Sequence, residues 1–155
     1  MKGPLGILML DTRFPRIVGD IGNAQSFDFP VIFRRMEGIG PNDAVAAHPD
    51  RPRVLAALKA NADALAAEGA VGLSTSCGFL ALYQKDLEAL SPVPVASSAL
   101  LLIKTLKDRN VGVLTASAAN LTPAHFEAVD APPDTPLCMA ARPIRSWKTI
   151  PYGAR

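Results

Sequence analysis

Short apolar runs recur along the chain and are typical of buried strands. The first run, from Leu5 to Leu10, is continuous and stops at Asp11, the pattern of a strand covered on both faces. Further runs extend from Val31 to Met36, Val71 to Leu73, Val93 to Ala96, Val111 to Leu114 and Leu137 to Ala140. We predict a strand in each of them.

Stretches with helical periodicity lie between most of these runs. The clearest predicted helix runs from Arg51 to Glu68, with Asp50 placed to cap its start and Gly69 placed to end it. Its apolar residues repeat at spacings of three and four and share one face: Val54, Leu55, Leu58, Ala62 and Leu65. Three more helices are predicted, from Cys77 to Leu90, from Ser97 or Ser98 to about Arg109, and from Pro123 to Val129. Strands that alternate with helices predict an α/β fold with a doubly wound parallel sheet.

Composition and charge exclude several classes of partner. The 16 basic and 14 acidic residues are spread along the chain, so we expect no binding to nucleic acid. The apolar run at the start is too short for a signal peptide or a membrane span. The two cysteines, Cys77 and Cys138, lie too far apart in sequence for a zinc site or a disulfide framework. These features predict a soluble, cytoplasmic protein that does not bind a membrane.

Three polar turns follow predicted strands and are expected to meet at one edge of the sheet. They are Asp11-Thr12-Arg13, Ser74-Thr75-Ser76-Cys77 and Thr115-Ala116-Ser117. Open α/β sheets bind ligands at the carboxyl ends of their strands, and hydroxyls beside helix N-termini suit a carboxylate or a phosphate. We therefore predict a small anionic ligand at this edge.

Cys77 is the candidate for chemistry within these turns. In the first turn of a helix, the helix dipole would lower the pKa of its thiol and prepare it as a base or nucleophile. The alternative interpretation is a small buried apolar residue. Arg13 and Arg16 could pair with an anionic substrate, but arginines in a long loop are expected to be exposed. His125 could face the ligand edge, but His125 and His48 are expected to face solvent, and Cys138 and Tyr83 are expected to pack in the core. The sequence has no nucleotide-binding motif and no metal-ligand spacing, so we predict chemistry without a cofactor or a metal.

The stretches Ser74-Thr-Ser-Cys77-Gly-Phe-Leu and Val111-Gly-Val-Leu-Thr-Ala-Ser117 resemble the aspartate/glutamate racemase superfamily. That group includes hydantoin racemases, maleate isomerases and arylmalonate decarboxylases. The resemblance implies two facing α/β lobes and a cofactor-independent reaction in which two cysteines act on opposite faces of the substrate. Cys77 matches the cysteine of the first lobe. Thr75, Ser76, Thr115 and Ser117 match positions that hold the substrate carboxylate, and Asp11 lies where a substrate contact is common.

The resemblance also implies a division of the chain. Residues 1–109 would form the first lobe, residues 110–141 the start of an incomplete second lobe, and residues 142–155 an irregular basic tail. No match for the second cysteine follows, which is the pattern of a truncated or frame-shifted reading frame. The expected function is an amino-acid racemase whose substrate is a small carboxylate or amino acid. The alternatives are a one-cysteine isomerase or decarboxylase, and a non-catalytic carboxylate-binding remnant. An unfinished lobe would expose apolar surface, so we expect a homo-oligomer.

Overall fold

The computed structural model describes residues 3–106 and 109–139, in which a parallel sheet of four strands is the central element. The strands are β1 (Leu5–Leu10), β2 (Val31–Met36), β3 (Gly72–Thr75) and β4 (Val95–Ala96). Their order across the sheet is β2-β1-β3-β4, and Ile7 of β1 pairs with Phe33 on one side and Ser74 on the other. Because all four strands are parallel, the turns after β1, β3 and β4 lie at the same edge.

A smaller sheet and four α-helices complete the regular structure of the described residues. Strands β5 (Val113–Thr115) and β6 (Leu137–Met139) pair in parallel with each other. The helices are α1 (Pro41–Ala44), α2 (Arg51–Ala67), α3 (Gln84–Leu90) and α4 (Pro123–Glu127). Segments Ala24–Ser26, Gly78–Tyr83 and Ala99–Thr105 are 3₁₀-helical.

Helix α2 begins and ends where its sequence signals predict. The Asp50 side chain accepts a hydrogen bond from the Arg53 backbone N–H at 3.2 Å, which caps the first turn. Gly69 follows the helix with a φ of +94°, a conformation that residues with a Cβ rarely adopt. Val54, Leu58, Ala62 and Leu65 are buried, as the periodicity predicts.

Two predicted α-helices differ in the structure. The helix expected from Cys77 to Leu90 starts as the 3₁₀ segment Gly78–Tyr83 and becomes α-helical only in α3. With three residues per turn, Leu80 and Tyr83 lie on one side of this segment, and both belong to the core that covers the main sheet. Phe79 and Ala81 are buried in a different cluster. The helix expected to end near Arg109 is the shorter 3₁₀ segment Ala99–Thr105.

The buried side chains form two clusters. We call the first the sheet core; its largest members are Leu8, Met36, Leu58, Leu65, Leu73, Leu80, Tyr83 and Leu87. We call the second the outer core, and it consists of Phe79, Ala81, Leu100, Ile103, Leu121, Phe126, Val129 and Ala131. The Cys77 side chain packs against both clusters. The main sheet and Gly78–Tyr83 thus place the thiol where the two cores meet.

Several predictions concern the arrangement of the whole chain. The doubly wound arrangement, the division into lobes at residues 109 and 110, and the homo-oligomer stay predictions. The predicted basic tail, residues 142–155, lies outside the described residues. Among the described residues, every helix is too short or too polar to cross a membrane. The cytoplasmic location stays a prediction.

Candidate functional site

The turn after β3 carries Cys77 at the carboxyl edge of the main sheet. The Ser76 backbone N–H donates to the Leu8 carbonyl at 2.9 Å, and the Leu10 N–H donates to the Ser76 hydroxyl at 3.4 Å. Both bonds join this turn to the end of β1. Cys77 itself has an extended backbone, with φ −136° and ψ 115°, and it immediately precedes the 3₁₀ segment. The position of the thiol is therefore fixed by the sheet.

A cavity of about 490 Å³ opens beside the thiol. The turn after β3 forms one wall with Ser76 and Cys77, and the segment from Ser98 to Leu106 forms a second wall. Strand β5 and its flanking residues close the cavity with Val111 to Ala116. Most of the lining side chains are aliphatic, and Phe79 adds an aromatic ring. The cavity therefore suits a small molecule whose apolar groups contact the aliphatic lining and whose remaining part contacts the thiol.

The hydroxyl of Thr75 forms hydrogen bonds with backbone groups. It donates to the Ser97 carbonyl at 2.6 Å and accepts a hydrogen bond from the Cys77 N–H at 3.3 Å. Thr75 is 5% exposed and lines neither of the two cavities that Cys77 lines. In this arrangement Thr75 shapes the turn that presents Cys77, whereas the sequence suggested a contact with the carboxylate of a substrate.

The other predicted site residues divide into two groups. Ser76 and Thr115 line the large cavity together with Cys77, so the structure brings these three together. Ser117 does not line it, and its backbone N–H donates to the Thr115 hydroxyl at 3.3 Å. Asp11 lies outside the cavities around Cys77; its carboxylate accepts from the Gly38 N–H at 3.0 Å and pairs with Arg35 at 3.5 Å. Asp11 therefore connects the ends of β1 and β2.

The predicted activation of the thiol by a helix dipole is wrong. Desolvation by burial raises the pKa of Cys77 above its ordinary value, and this effect exceeds the opposing hydrogen bonds of the backbone at Phe79 and Leu80. The six-residue 3₁₀ segment that follows replaces the long α-helix on which the prediction depended. The raised pKa favours the protonated thiol, and the backbone hydrogen bonds at Phe79 and Leu80 partly stabilise the thiolate.

A second, smaller cavity of about 90 Å³ adjoins the thiol on its other side. It shares Val45, Ser76 and Cys77 with the large cavity. The loop after β1 adds Thr12, Phe14 and Arg16, and Leu10 of β1 and Pro41 of α1 complete the lining. The expected exposure of Arg16 is wrong, because its side chain is only 16% exposed. Arg16 thus contributes a cation to the lining of a cavity that Cys77 also lines.

Sequence reasoning also missed Ser98 and misplaced two other side chains. Ser98 follows β4 at the same sheet edge, and the strand-end rule applied to the other three turns would have found it. His125 is 1% exposed, because α4 turns it against Phe79 with ring centroids 5.6 Å apart. Cys138 is exposed on the short strand β6, which pairs with β5 alone among the strands that the structure describes. His48 is exposed and Tyr83 is buried, as expected.

The residues that the structure describes contain no candidate metal site. Across residues 3–106 and 109–139, the side chains of His, Cys, Asp and Glu form no group of three that could hold a metal ion. The chemistry that the arrangement supports is proton transfer by a thiol next to a mostly apolar cavity, with a guanidinium close by.

Comparisons with known proteins point to a lyase. A dimethylsulfoniopropionate lyase of Durusdinium sp. clade D is 28% identical over 127 residues, covering 78% of this chain and 42% of the relative. Dimethylsulfoniopropionate lyases 5 and 7 of Emiliania huxleyi (strain CCMP1516) are 30% and 27% identical over 132 and 127 residues. These two matches cover 79% and 77% of this chain, and 26% and 36% of the relatives. The chain thus spans less than half the length of the relatives it matches. No protein-family model matches the chain.

These relatives correct the family and function predicted from the sequence. The assignment to the racemase superfamily is wrong, because the similar proteins are named as lyases of a sulfonium compound. The predicted amino-acid racemase and its isomerase or decarboxylase alternative are wrong for the same reason. The motifs around Cys77 and Thr115 are short runs of small residues at strand ends, and such runs do not distinguish one α/β enzyme from another.

Proposed function

We propose that the chain forms part of a lyase that acts on dimethylsulfoniopropionate or a closely related sulfonium carboxylate. The observation that carries the proposal is its 27–30% identity, over 127 to 132 residues, to three proteins that bear this name. The small-molecule carboxylate predicted from the sequence agrees with such a substrate. The cavity beside Cys77 supports the proposal because it combines a proton-transferring group with a mostly apolar lining.

The chemistry of this substrate makes specific demands on a site. The name describes a propionate that carries a dimethylsulfonium group, with an anion at one end and a permanent cation at the other. In an elimination, a base removes a proton from the carbon next to the carboxylate. The electron pair left behind forms a carbon–carbon double bond, and the carbon–sulfur bond breaks. The products are acrylate and dimethyl sulfide, and the proton stays on the base.

Cys77 is the residue that we assign as the base. The raised pKa of Cys77 favours the protonated thiol, so the thiol must lose its proton to solvent before it acts as the base. A sulfonium cation in the adjoining cavity would favour the thiolate, because an opposite charge nearby lowers the pKa of an acid. Phe79 lines the same cavity, and an aromatic face attracts a cation. The aliphatic side chains around it suit the two methyl groups on sulfur.

The test is elimination by the purified chain in deuterated water. We expect dimethyl sulfide in the headspace, measured by gas chromatography, and an equal amount of acrylate, measured by NMR. A general base contributes about 10²–10⁴-fold to a rate, so Cys77→Ala should lower product formation by at least about 100-fold. Cys138→Ser is the matched control, since Cys138 lines neither cavity around Cys77, and it should keep the wild-type rate.

Deuterium exchange at the carbon next to the carboxylate provides a second readout. If the chain removes this proton but does not break the carbon–sulfur bond, deuterium enters the recovered substrate without release of dimethyl sulfide. That result would keep Cys77 as the base and place carbon–sulfur cleavage beyond this part of the protein. The absence of both product and exchange in wild-type protein contradicts the proposal.

A further inference from the structure

The loop between β1 and β2 holds one cation in a defined orientation beside the thiol. Arg16 lines the small cavity of about 90 Å³ that Ser76 and Cys77 also line. This volume exceeds the roughly 10–15 Å³ that a single water needs, and it is sufficient for a carboxylate group. The guanidinium and the thiol thus line the same small cavity, which adjoins the large apolar cavity.

Arg16 is fixed on several sides. Its Nη1 donates to Asp20 Oδ1 at 2.9 Å, and its Nη2 donates to the Thr12 hydroxyl at 2.9 Å. The guanidinium carbon lies 4.2 Å from the centre of the Phe14 ring. The Arg16 carbonyl accepts from the Asn23 side chain at 2.8 Å. These contacts hold the planar group in one orientation, which lowers the entropy lost when it binds a ligand.

The contacts of Arg16 leave part of its hydrogen-bonding capacity for a ligand. A guanidinium has five N–H donors, and the two bonds to Asp20 and Thr12 use two of them. Arg16 shares Asp20 Oδ1 with the Gly22 N–H, which donates to it at 2.6 Å. An arginine that served only to order the loop would not need to line the cavity of the thiol.

We propose that Arg16 binds the carboxylate of the substrate and thereby sets the carbon next to it against Cys77. The hydroxyl of Ser76, which lines both cavities, is placed to donate a second hydrogen bond. The ligand class is a carboxylate of two or three carbons, since the small cavity takes the anion and the large cavity takes the remainder. The identity of the natural ligand rests on the proposed function, whereas the binding of a short carboxylate at Arg16 does not.

Asp20 acts in this arrangement as a competing anion. Its carboxylate holds Nη1 while the site is empty, and an incoming carboxylate must share the guanidinium with it. Replacement of Asp20 by asparagine keeps an acceptor oxygen for Arg16 and Gly22 but removes the negative charge. A purely structural Arg16–Asp20 pair and a binding site at Arg16 therefore predict opposite effects of this change.

Alkylation of Cys77 by two reagents of similar size tests the proposal without any lyase activity. Iodoacetate carries a carboxylate and iodoacetamide a neutral amide, and with both the thiolate displaces iodide from the same kind of carbon. The fraction of thiolate affects both rates equally and cancels when the iodoacetate rate is divided by the iodoacetamide rate. This ratio therefore reports binding of the carboxylate. We expect Arg16→Gln to lower this ratio at Cys77 by about tenfold, measured by mass spectrometry at one fixed pH and salt concentration.

Three more variants separate binding from damage to the loop. Arg13→Gln removes an exposed arginine from the same loop and should leave the ratio at the wild-type value. Arg16→Lys should keep part of the ratio, because the charge remains without the planar fork. Asp20→Asn should raise it. Propionate should protect Cys77 of the wild type, but not of Arg16→Gln, from iodoacetamide.

The outcomes distinguish this inference from the proposed function. An unchanged ratio in Arg16→Gln, or a lowered ratio in Asp20→Asn, overturns the role of Arg16 even if the chain releases dimethyl sulfide. A ratio that depends on Arg16 in a chain that neither releases dimethyl sulfide nor exchanges deuterium keeps the carboxylate site and rejects the lyase. Failure of Arg16→Gln to fold is recognised by circular dichroism, and the comparison then depends on Arg16→Lys and Asp20→Asn.

Discussion

The thiol of Cys77 lies between the sheet core and the outer core, and its ionisation is governed by that position. A thiolate there loses most of its hydration, which disfavours the charged form. The hydrogen bonds from Phe79 and Leu80 recover only part of this loss. A raised pKa of this half-buried thiol lowers its thiolate fraction, and this slows its reactions with electrophiles.

The raised pKa makes a prediction for alkylation across pH. Only the thiolate attacks iodoacetamide, so the rate at Cys77 should follow its ionisation and reach half of its maximum at a higher pH than in the chain unfolded in urea. The measurement is the rate of labelling at Cys77 by mass spectrometry over a series of pH values. A midpoint at or below that of the unfolded chain contradicts the effect of burial.

Single residues show where the sequence was informative about the site and where it was not. The rule that parallel strands end at one edge identified Ser76, Cys77 and Thr115, which share a cavity. The same rule could not reveal that the Thr75 hydroxyl is used by the Ser97 carbonyl, because that bond joins residues 22 positions apart. Arg16 was expected to be exposed, because its burial depends on the path of an irregular loop that the sequence pattern does not contain.

Helix α4 presents a buried histidine to the outer core. The Thr122 N–H donates to His125 Nδ1 at 3.2 Å, so the neutral ring carries its proton on Nε2. Burial is the main cause that lowers the pKa of His125, and the charge of Arg51 adds to it. Protonation of the folded protein at this position therefore costs more than protonation of the unfolded chain.

The lowered pKa predicts a loss of stability on acidification. Below the ordinary pKa of histidine, the unfolded chain binds a proton that folded His125 does not, so the free energy of unfolding falls as the pH falls. The decrease should begin near pH 6.5 and continue down to the pKa of the folded state. Urea unfolding at a series of pH values between 7.5 and 5.5 measures it.

Two variants locate this effect at α4. In His125→Gln the decrease over that pH range should become smaller, whatever the stability of the variant at neutral pH. His48→Gln is the matched control, because His48 is exposed, and it should keep the wild-type pH dependence. Equal pH dependence in wild-type and His125→Gln protein would show that His125 is not responsible.

At the level of elements, the sequence predicts the strands and helices whose apolar residues contact a single core. The bounds of β1 and β2 coincide with the predicted runs, and α2 ends one residue before its predicted end. These elements present a continuous apolar run or one apolar face to a single core. Segments Gly78–Tyr83 and Ala99–Thr105 were predicted as α-helical, the first from apolar residues at helical spacing and the second from a serine cap. Their 3₁₀ form depends on tertiary packing, which one-dimensional periodicity does not contain.

On the scale of the whole molecule, segment Gly78–Tyr83 connects the sheet core with the outer core. This segment contributes Leu80 and Tyr83 to the sheet core and Phe79 and Ala81 to the outer core. Helix α4, which carries Phe126 of the outer core, also packs against it. Because one short segment supplies both clusters, opening of the outer core would expose residues that also support the sheet. We therefore expect the two clusters to unfold together.

Native-state hydrogen exchange tests this coupling. Phe126→Ala removes a fully buried aromatic side chain and should lower the free energy of unfolding by about 3–5 kcal/mol. If the clusters unfold together, the slowest amides of α2, in the sheet core, should lose protection by the same amount. Glu127→Ala, an exposed change in the same helix, should have little effect. Unchanged protection in α2 would mean that the outer core opens separately, so that the wall of the cavity facing Cys77 moves while the thiol stays fixed on the sheet.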